Sequence, residues 1–173
     1  TPVRAAEPAE VEWLAQYQAL FGETEAGGPT AEVQATLKWV AKARACPKSV
    51  EINMAAEDDF PKGYGSFVRD FQVIPPERSP GPEQPIDAEA LSVSEGRYRL
   101  PVGGEGSAGF RYRVVLEHDA SNWGPGPDEA PYRFEGGAFW TGRALFLTAP
   151  RSRVEVSFAA PAGGRVSVSF EPM

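Results

Sequence analysis

The chain has 173 residues, the size of one ordinary domain. Its 18 Gly and 17 Pro interrupt it so often that short strands joined by turns are favoured over a bundle of long helices. A formal charge of −7 sets it against phosphate backbones and anionic lipid, which argues against nucleic-acid and membrane-surface partners.

Residues 1–34 read as a unit apart from the rest. After Pro8, the residues Val11, Leu14, Tyr17 and Phe21 recur at three- and four-residue spacing, with Trp13 and Leu20 widening the stripe and Gly22 placed to cap its end. That spacing predicts an amphipathic helix over 8–21. The polar, Gly-rich stretch 23–30 then reads as a linker. Residues 31–45 fit two periods. Val33, Leu37, Val40 and Ala41 suit a helix, whereas Leu37, Trp39, Ala41 and Ala43 alternate with Lys38, Lys42 and Arg44 as in a strand.

From Val50 onward, through residue 173, the pattern is β. Val50, Ile52 and Met54 alternate with Glu51 and Asn53, and residues 67–74 are rich in Phe and Val. Five prolines in 75–85 make an irregular connection. Residues 97–102 form a short strand, and Phe110, Tyr112, Val114 and Leu116 alternate with Arg111, Arg113, Val115 and Glu117. A long loop follows over 119–137, then one or two strands over 138–148. The stretches 154–158 and 166–170 alternate and flank Pro161-Ala162-Gly163-Gly164, the pattern of a hairpin. About six or seven such strands predict a mainly β fold. The expected form is an antiparallel β-sandwich or partly open barrel over 35–173, with one N-terminal helix.

Catalytic chemistry is short of parts. One histidine, His118, and one cysteine, Cys46, cannot build a zinc cage or a disulfide framework. A triad through His118 needs Asp119 or Ser121, but adjacent strand residues face opposite ways. No phosphate-binding Gly loop or nucleophile elbow is present; Gly63-Tyr64-Gly65 lacks the lysine and the helix that a phosphate loop requires. Two acidic groups have calcium-type oxygens: Glu57-Asp58-Asp59, which reads as a solvated turn, and Asp119 with Asp128 and Glu129. Trp123, Tyr132, Phe134, Phe139 and Trp140 frame the long loop. They read either as a roof over one end of the core or, through Trp123, Tyr132 and Trp140, as a platform for a sugar or small ligand. The expectation is no cofactor, no metal and no catalytic residue, with an enzyme using Asp128 or Glu129 as acid/base the least favoured reading. No apolar run reaches membrane-spanning length. The chain opens at Thr1 without a signal peptide, and a periplasmic or secreted setting is expected over a cytoplasmic one.

The segment Gly65-Ser66-Phe67-Val68-Arg69-Asp70-Phe71 resembles the G-S-Y…R-[DE]-[FY] stretch of the N-terminal domain in the glycyl aminopeptidase family of thermolysin-like metallopeptidases. Phe110-Arg111-Tyr112-Arg113-Val114 is similar to that domain's Y-x-V strand, and Ala144-Leu145-Phe146-Leu147 to its G-x-x-L-F-L strand. The resemblance is spread over 35–171. Phe67 stands where the family has Tyr, with one residue fewer before Arg69. The resemblance implies a β-sandwich whose first strand is 36–46. It also implies an accessory role, packing on a peptidase-like catalytic domain and shaping its cleft, with Tyr64, Phe67 and Arg69 facing that partner.

Overall fold

A computed structural model describes residues 10–25, 27–54, 64–74, 92–94, 96–115 and 132–168. The first element is a strand, β1 (Trp13–Glu23), and not the helix expected over 8–21. The sequence WLAQYQALF carries two periods at once. Trp13, Ala15, Tyr17 and Ala19 are buried and alternate with exposed Gln16 and Gln18, whereas Val11 and Leu20 of the helical stripe lie in solvent. The choice is made by a partner. β2 (Pro29–Trp39) alternates in the same way and pairs antiparallel with β1 over its full length, from Trp13↔Trp39 to Glu23↔Pro29. A long, matched set of cross-strand pairs outweighs a local helical stripe.

The segment expected to be a linker is the turn of this hairpin. Gly27 sits at φ +78, and the Gly28 amide donates to Thr24 Oγ1 at 2.9 Å. The boundary expected after residue 34 therefore falls inside β2, which begins at Pro29 rather than Thr36 and ends at Trp39 rather than Cys46.

The remaining strands are β3 (Ser49–Asn53), β4 (Val68–Ile74), β5 (Ser92–Ser94), β6 (Arg97–Pro101), β7 (Ser107–Val115), β8 (Tyr132–Phe134), β9 (Gly137–Phe139) and β10 (Ser152–Ala159). A 3₁₀ turn, Tyr64–Phe67, precedes β4, and a single helical turn, α1 (Gly142–Leu145), precedes β10. The strands form a large sheet in the order β10-β1-β2-β7-β4, a small sheet β3-β6-β5 and the hairpin β8-β9. The fold is mainly β, as the sequence predicts. The large sheet is mixed rather than antiparallel, because β10 runs parallel to β1.

The hairpin expected between 154–158 and 166–170 is not formed in the described residues: 165–168 carry no strand. The turn explains why. The Gly164 amide donates to the Pro161 carbonyl at 2.8 Å, with Gly163 at φ +79. A two-residue loop of that register would set Val166 opposite Ala159 and Val168 opposite Ser157, on the polar face. A one-residue slip moves a whole apolar set to the wrong side.

The inner face of the large sheet alternates large and small side chains along its rows, for example Tyr17–Ala35–Phe110. In β4 a bulge sets both Asp70 and Phe71 against Tyr112. Asp70 takes φ +52 there, and Phe71 turns inward to stack on Tyr98 of β6, centroids 3.8 Å apart. Residues 145–148 join the sheets more firmly. Tyr17 donates to the Leu147 carbonyl at 2.8 Å; Tyr112 donates to the Leu145 carbonyl at 2.8 Å and accepts from the Leu147 amide at 3.0 Å. On the other side, Thr148 and Asn53 of β3 exchange both backbone hydrogen bonds, at 2.8 and 3.0 Å. Gly96, at φ +71 between β5 and β6, abuts Gly65; a Cβ there would lie 2.8 Å from the Gly65 Cα. At the open end of β1 the buried carboxylate of Glu12 accepts from Arg44 and Arg151, each at 2.8 Å.

Burial pushes the phenols of Tyr17 and Tyr112 well above their ordinary pKa. Since the folded state holds them protonated, their contribution is complete below the unfolded pKa near 10 and is lost as pH rises beyond it. In an alkaline titration followed by phenolate absorbance, Tyr17→Phe and Tyr112→Phe are each expected to remove one phenol from the step that coincides with unfolding. Tyr112→Phe strands the Leu147 amide and is expected to cost about 1–3 kcal/mol in urea unfolding.

Candidate functional site

The described surface offers two places where function could reside: the aromatic end of the fold and the outer face of the large sheet. At the aromatic end, β8 and β9 form a hairpin through Glu135 and Gly136, with Gly136 at φ +85 and Tyr132 paired by backbone with Phe139. Gly137 lies beneath the Phe134 ring, and a Cβ there would come within 2.9 Å of it. Phe134 is 52% exposed and Phe139 38%. The chain then passes Trp140, and Thr141 caps α1 by accepting from the Ala144 amide at 3.4 Å. Trp140 is half-buried, its ring centroid 6.5 Å from Phe21 of β1. Phe21 stacks on Phe158 of β10 at 6.2 Å, and Phe158 meets Phe146, which in turn packs edge-on to Tyr17.

Of the three residues expected to form a ligand platform, Trp140 thus belongs largely to the aromatic roof. The Tyr132 backbone lies in β8, and Trp123 falls outside the described residues. The exposed rings of this end are Phe134 and Phe139, which the sequence marks as part of the aromatic set but does not distinguish from the others. That Trp140 is the covered ring depends on where β1 brings Phe21, and the helical reading of β1 hid that.

The residues expected to face a partner are placed differently. Tyr64 and Phe67 are buried in this chain's own core. They lie there because the 3₁₀ turn tucks under the β5–β6 turn at Gly96. Arg69 is half-exposed and donates to the Ser66 and Val68 carbonyls at 2.6 and 3.0 Å. The calcium candidates Asp119, Asp128 and Glu129, the Glu57-Asp58-Asp59 group and His118 all lie outside the described residues. Among the described residues no group of three or more His, Cys, Asp or Glu could hold a metal ion. Among the same residues no helix is long and apolar enough to cross a membrane.

The outer face of the large sheet carries an open groove of about 520 Å³, lined by Gln18, Gln34, Gln72, Arg111, Arg113 and Glu32 among others. Register puts Ser157, Gln18, Gln34, Arg111 and Gln72 in one row across all five strands. Arg111 donates to Gln72 at 2.8 Å, and Arg113 pairs with Asp70. With these guanidinium groups engaged within the sheet, the groove presents amides and paired charges rather than a focused field. The guanidinium of Arg97 on β6, helped by that of Arg99, holds the carboxyl of Glu51 on β3 below its ordinary range. These are solvated strand faces.

Because its indole packs on Phe21, Trp140→Ala is expected to lower unfolding free energy by about 2 kcal/mol, below the range for fully buried aromatics. A ring serving only as a ligand platform would leave urea unfolding unchanged. Compared with protein-family models and with curated proteins, the chain matches none.

Proposed function

We propose that this chain is a non-catalytic interaction module, a two-sheet β-sandwich that packs on a second protein domain. The Phe71–Tyr98 stack between the sheets and the hydrophobic cluster they share support the sandwich. The observation that carries the function is the β8–β9 hairpin, on which two neighbouring phenylalanine side chains stay partly open to solvent, Phe134 at 52% and Phe139 at 38%. Exposed aromatic side chains on a rigid two-residue hairpin are the kind of anchor that fills a partner's pocket. The resemblance of residues 65–71, 110–114 and 144–147 to glycyl aminopeptidases indicates the partner, a thermolysin-like catalytic domain whose cleft the module would help to shape.

Isothermal titration against a thermolysin-like catalytic domain of that family tests this reading. Saturable binding is expected, with Phe134→Ser/Phe139→Ser weakening it by about 2 kcal/mol or more while the variant keeps its fold. Absence of heat, or binding unchanged in the double variant, would contradict it.

The same hairpin favours a second reading, in which Phe134 and Phe139, with Trp140, Tyr132 and Trp123, stack on sugar rings. Saturable binding on a glycan panel, lost in Phe134→Ser/Phe139→Ser, would support that reading. No binding on the panel would remove it.

A further inference from the structure

The two edges of the large sheet are finished differently. An edge strand with free amides and carbonyls invites pairing, and proteins usually blunt it. The β4 edge is blunted: a bulge breaks its register between Arg69 and Gln72, and Asp70 sits in the left-handed region with its carboxylate turned to Arg113. The β10 edge is straight. Its register with β1 runs without a shift from Trp13↔Ser152 to Leu20↔Ala159. No other strand among the described residues lies on its far side.

Along that edge the side chains divide cleanly. Val154, Val156 and Phe158 share the core-facing side, paired with Ala15, Tyr17 and Ala19. Val154 is nevertheless 43% exposed, and the other two are half-buried, because nothing described covers the sheet beyond them. Arg153 and Glu155 project from the outer side. Residues 165–168 do not complete the edge: they carry no strand, and the turn at Pro161–Gly164 would bring Val166 and Val168 to the wrong face.

We propose that the β10 edge is a self-association surface, on which a second copy of this chain adds its own β10 antiparallel about Val154. The occupant is identified by charge. In that register Arg153 lies opposite Glu155 of the second copy, and Glu155 opposite the second copy's Arg153. Two opposite-charge pairs thus form on the solvent side. On the core side Val154 meets Val154 of the second copy, and Ser152 meets Val156. Shifting the centre to Val156 would set Arg153 against Ala159 and Glu155 against Ser157, losing both pairs. The interface is isologous and closes as a two-fold dimer. It joins two five-stranded sheets into one and pairs no residue of the β8–β9 hairpin.

Sedimentation equilibrium tests this directly. The 18.7 kDa chain is expected to show a concentration-dependent mass approaching twice that value, with the dimer weakening as salt is raised. Arg153→Glu and Glu155→Arg alone each set like charges opposite one another, and each is expected to raise the dimer dissociation constant at least about tenfold. Mixing the two single variants restores both opposite-charge pairs across one interface, so the mixture is expected to dimerise where neither variant does alone. The double variant Arg153→Glu/Glu155→Arg should also dimerise like the parent chain. A parent chain that stays monomeric at submillimolar concentration would overturn the proposal. So would a dimer indifferent to the single variants, or a mixture that stays monomeric. Titration with a catalytic domain reads the hairpin, so the two surfaces succeed or fail separately.

Discussion

The Tyr112 hydroxyl lies in the interior, donating to the Leu145 carbonyl while accepting from the Leu147 amide. The joining of the small sheet to the large one runs through that arrangement. Residues 145–148 run through the core from the last residue of α1 to the bridge with Asn53, and backbone buried outside regular elements is costly unless each amide and carbonyl finds a partner. Tyr112 and Tyr17 provide those partners from the large sheet, and Asn53 provides them from the free side of β3 in the small one. The small sheet has strands of five residues or fewer, and so short a sheet is marginal alone. Its attachment runs through this clasp, the Phe71–Tyr98 stack and the close approach of Gly96 to Gly65. The phenols remain neutral because they are buried, and the hydrogen bond that Tyr112 accepts from the Leu147 amide only partly offsets this.

The parts of the fold legible in the sequence were those where one strict period stood alone. Val50, Ile52 and Met54 are buried as their alternation implies, and so are Phe110, Tyr112 and Val114 between the solvated Arg111 and Arg113. The helix expected over 8–21 shows the opposite case. Trp13, Ala15, Tyr17 and Ala19 sit at strand spacing, Leu14, Tyr17 and Phe21 at helical spacing, and only β2, sixteen residues or more away across the hairpin for Trp13, decides between them. The C-terminal hairpin turned on a single residue of register, set by the hydrogen bond that closes its turn. The parallel pairing of β10 with β1 joins opposite ends of the chain and leaves no local trace in either strand.

The candidate site follows the same logic. The aromatic set was legible as a cluster, but its division into roof and exposed rings was not. Trp140 is covered because Phe21 comes to it from β1, whereas Phe134 is held out over Gly137 by a two-residue turn. Tyr64 and Phe67 are expected to face a partner on the strength of the family resemblance alone, yet Gly65 and Gly96 bring the backbones so close that both rings are enclosed. The resulting surface is uneven. A polar face neutralises its own charges, one sheet edge is blunted by a bulge, and apolar side chains remain at the aromatic hairpin and along β10.

Native-state hydrogen exchange at the Leu147 and Thr148 amides tests the role of the clasp most directly. If residues 145–148 hold the two sheets together, both amides exchange only with global unfolding, at the free energy of the β2 and β7 amides. Exchange of Leu147 and Thr148 through local opening, while the large sheet stays protected, would show that the segment lies on the core without holding it.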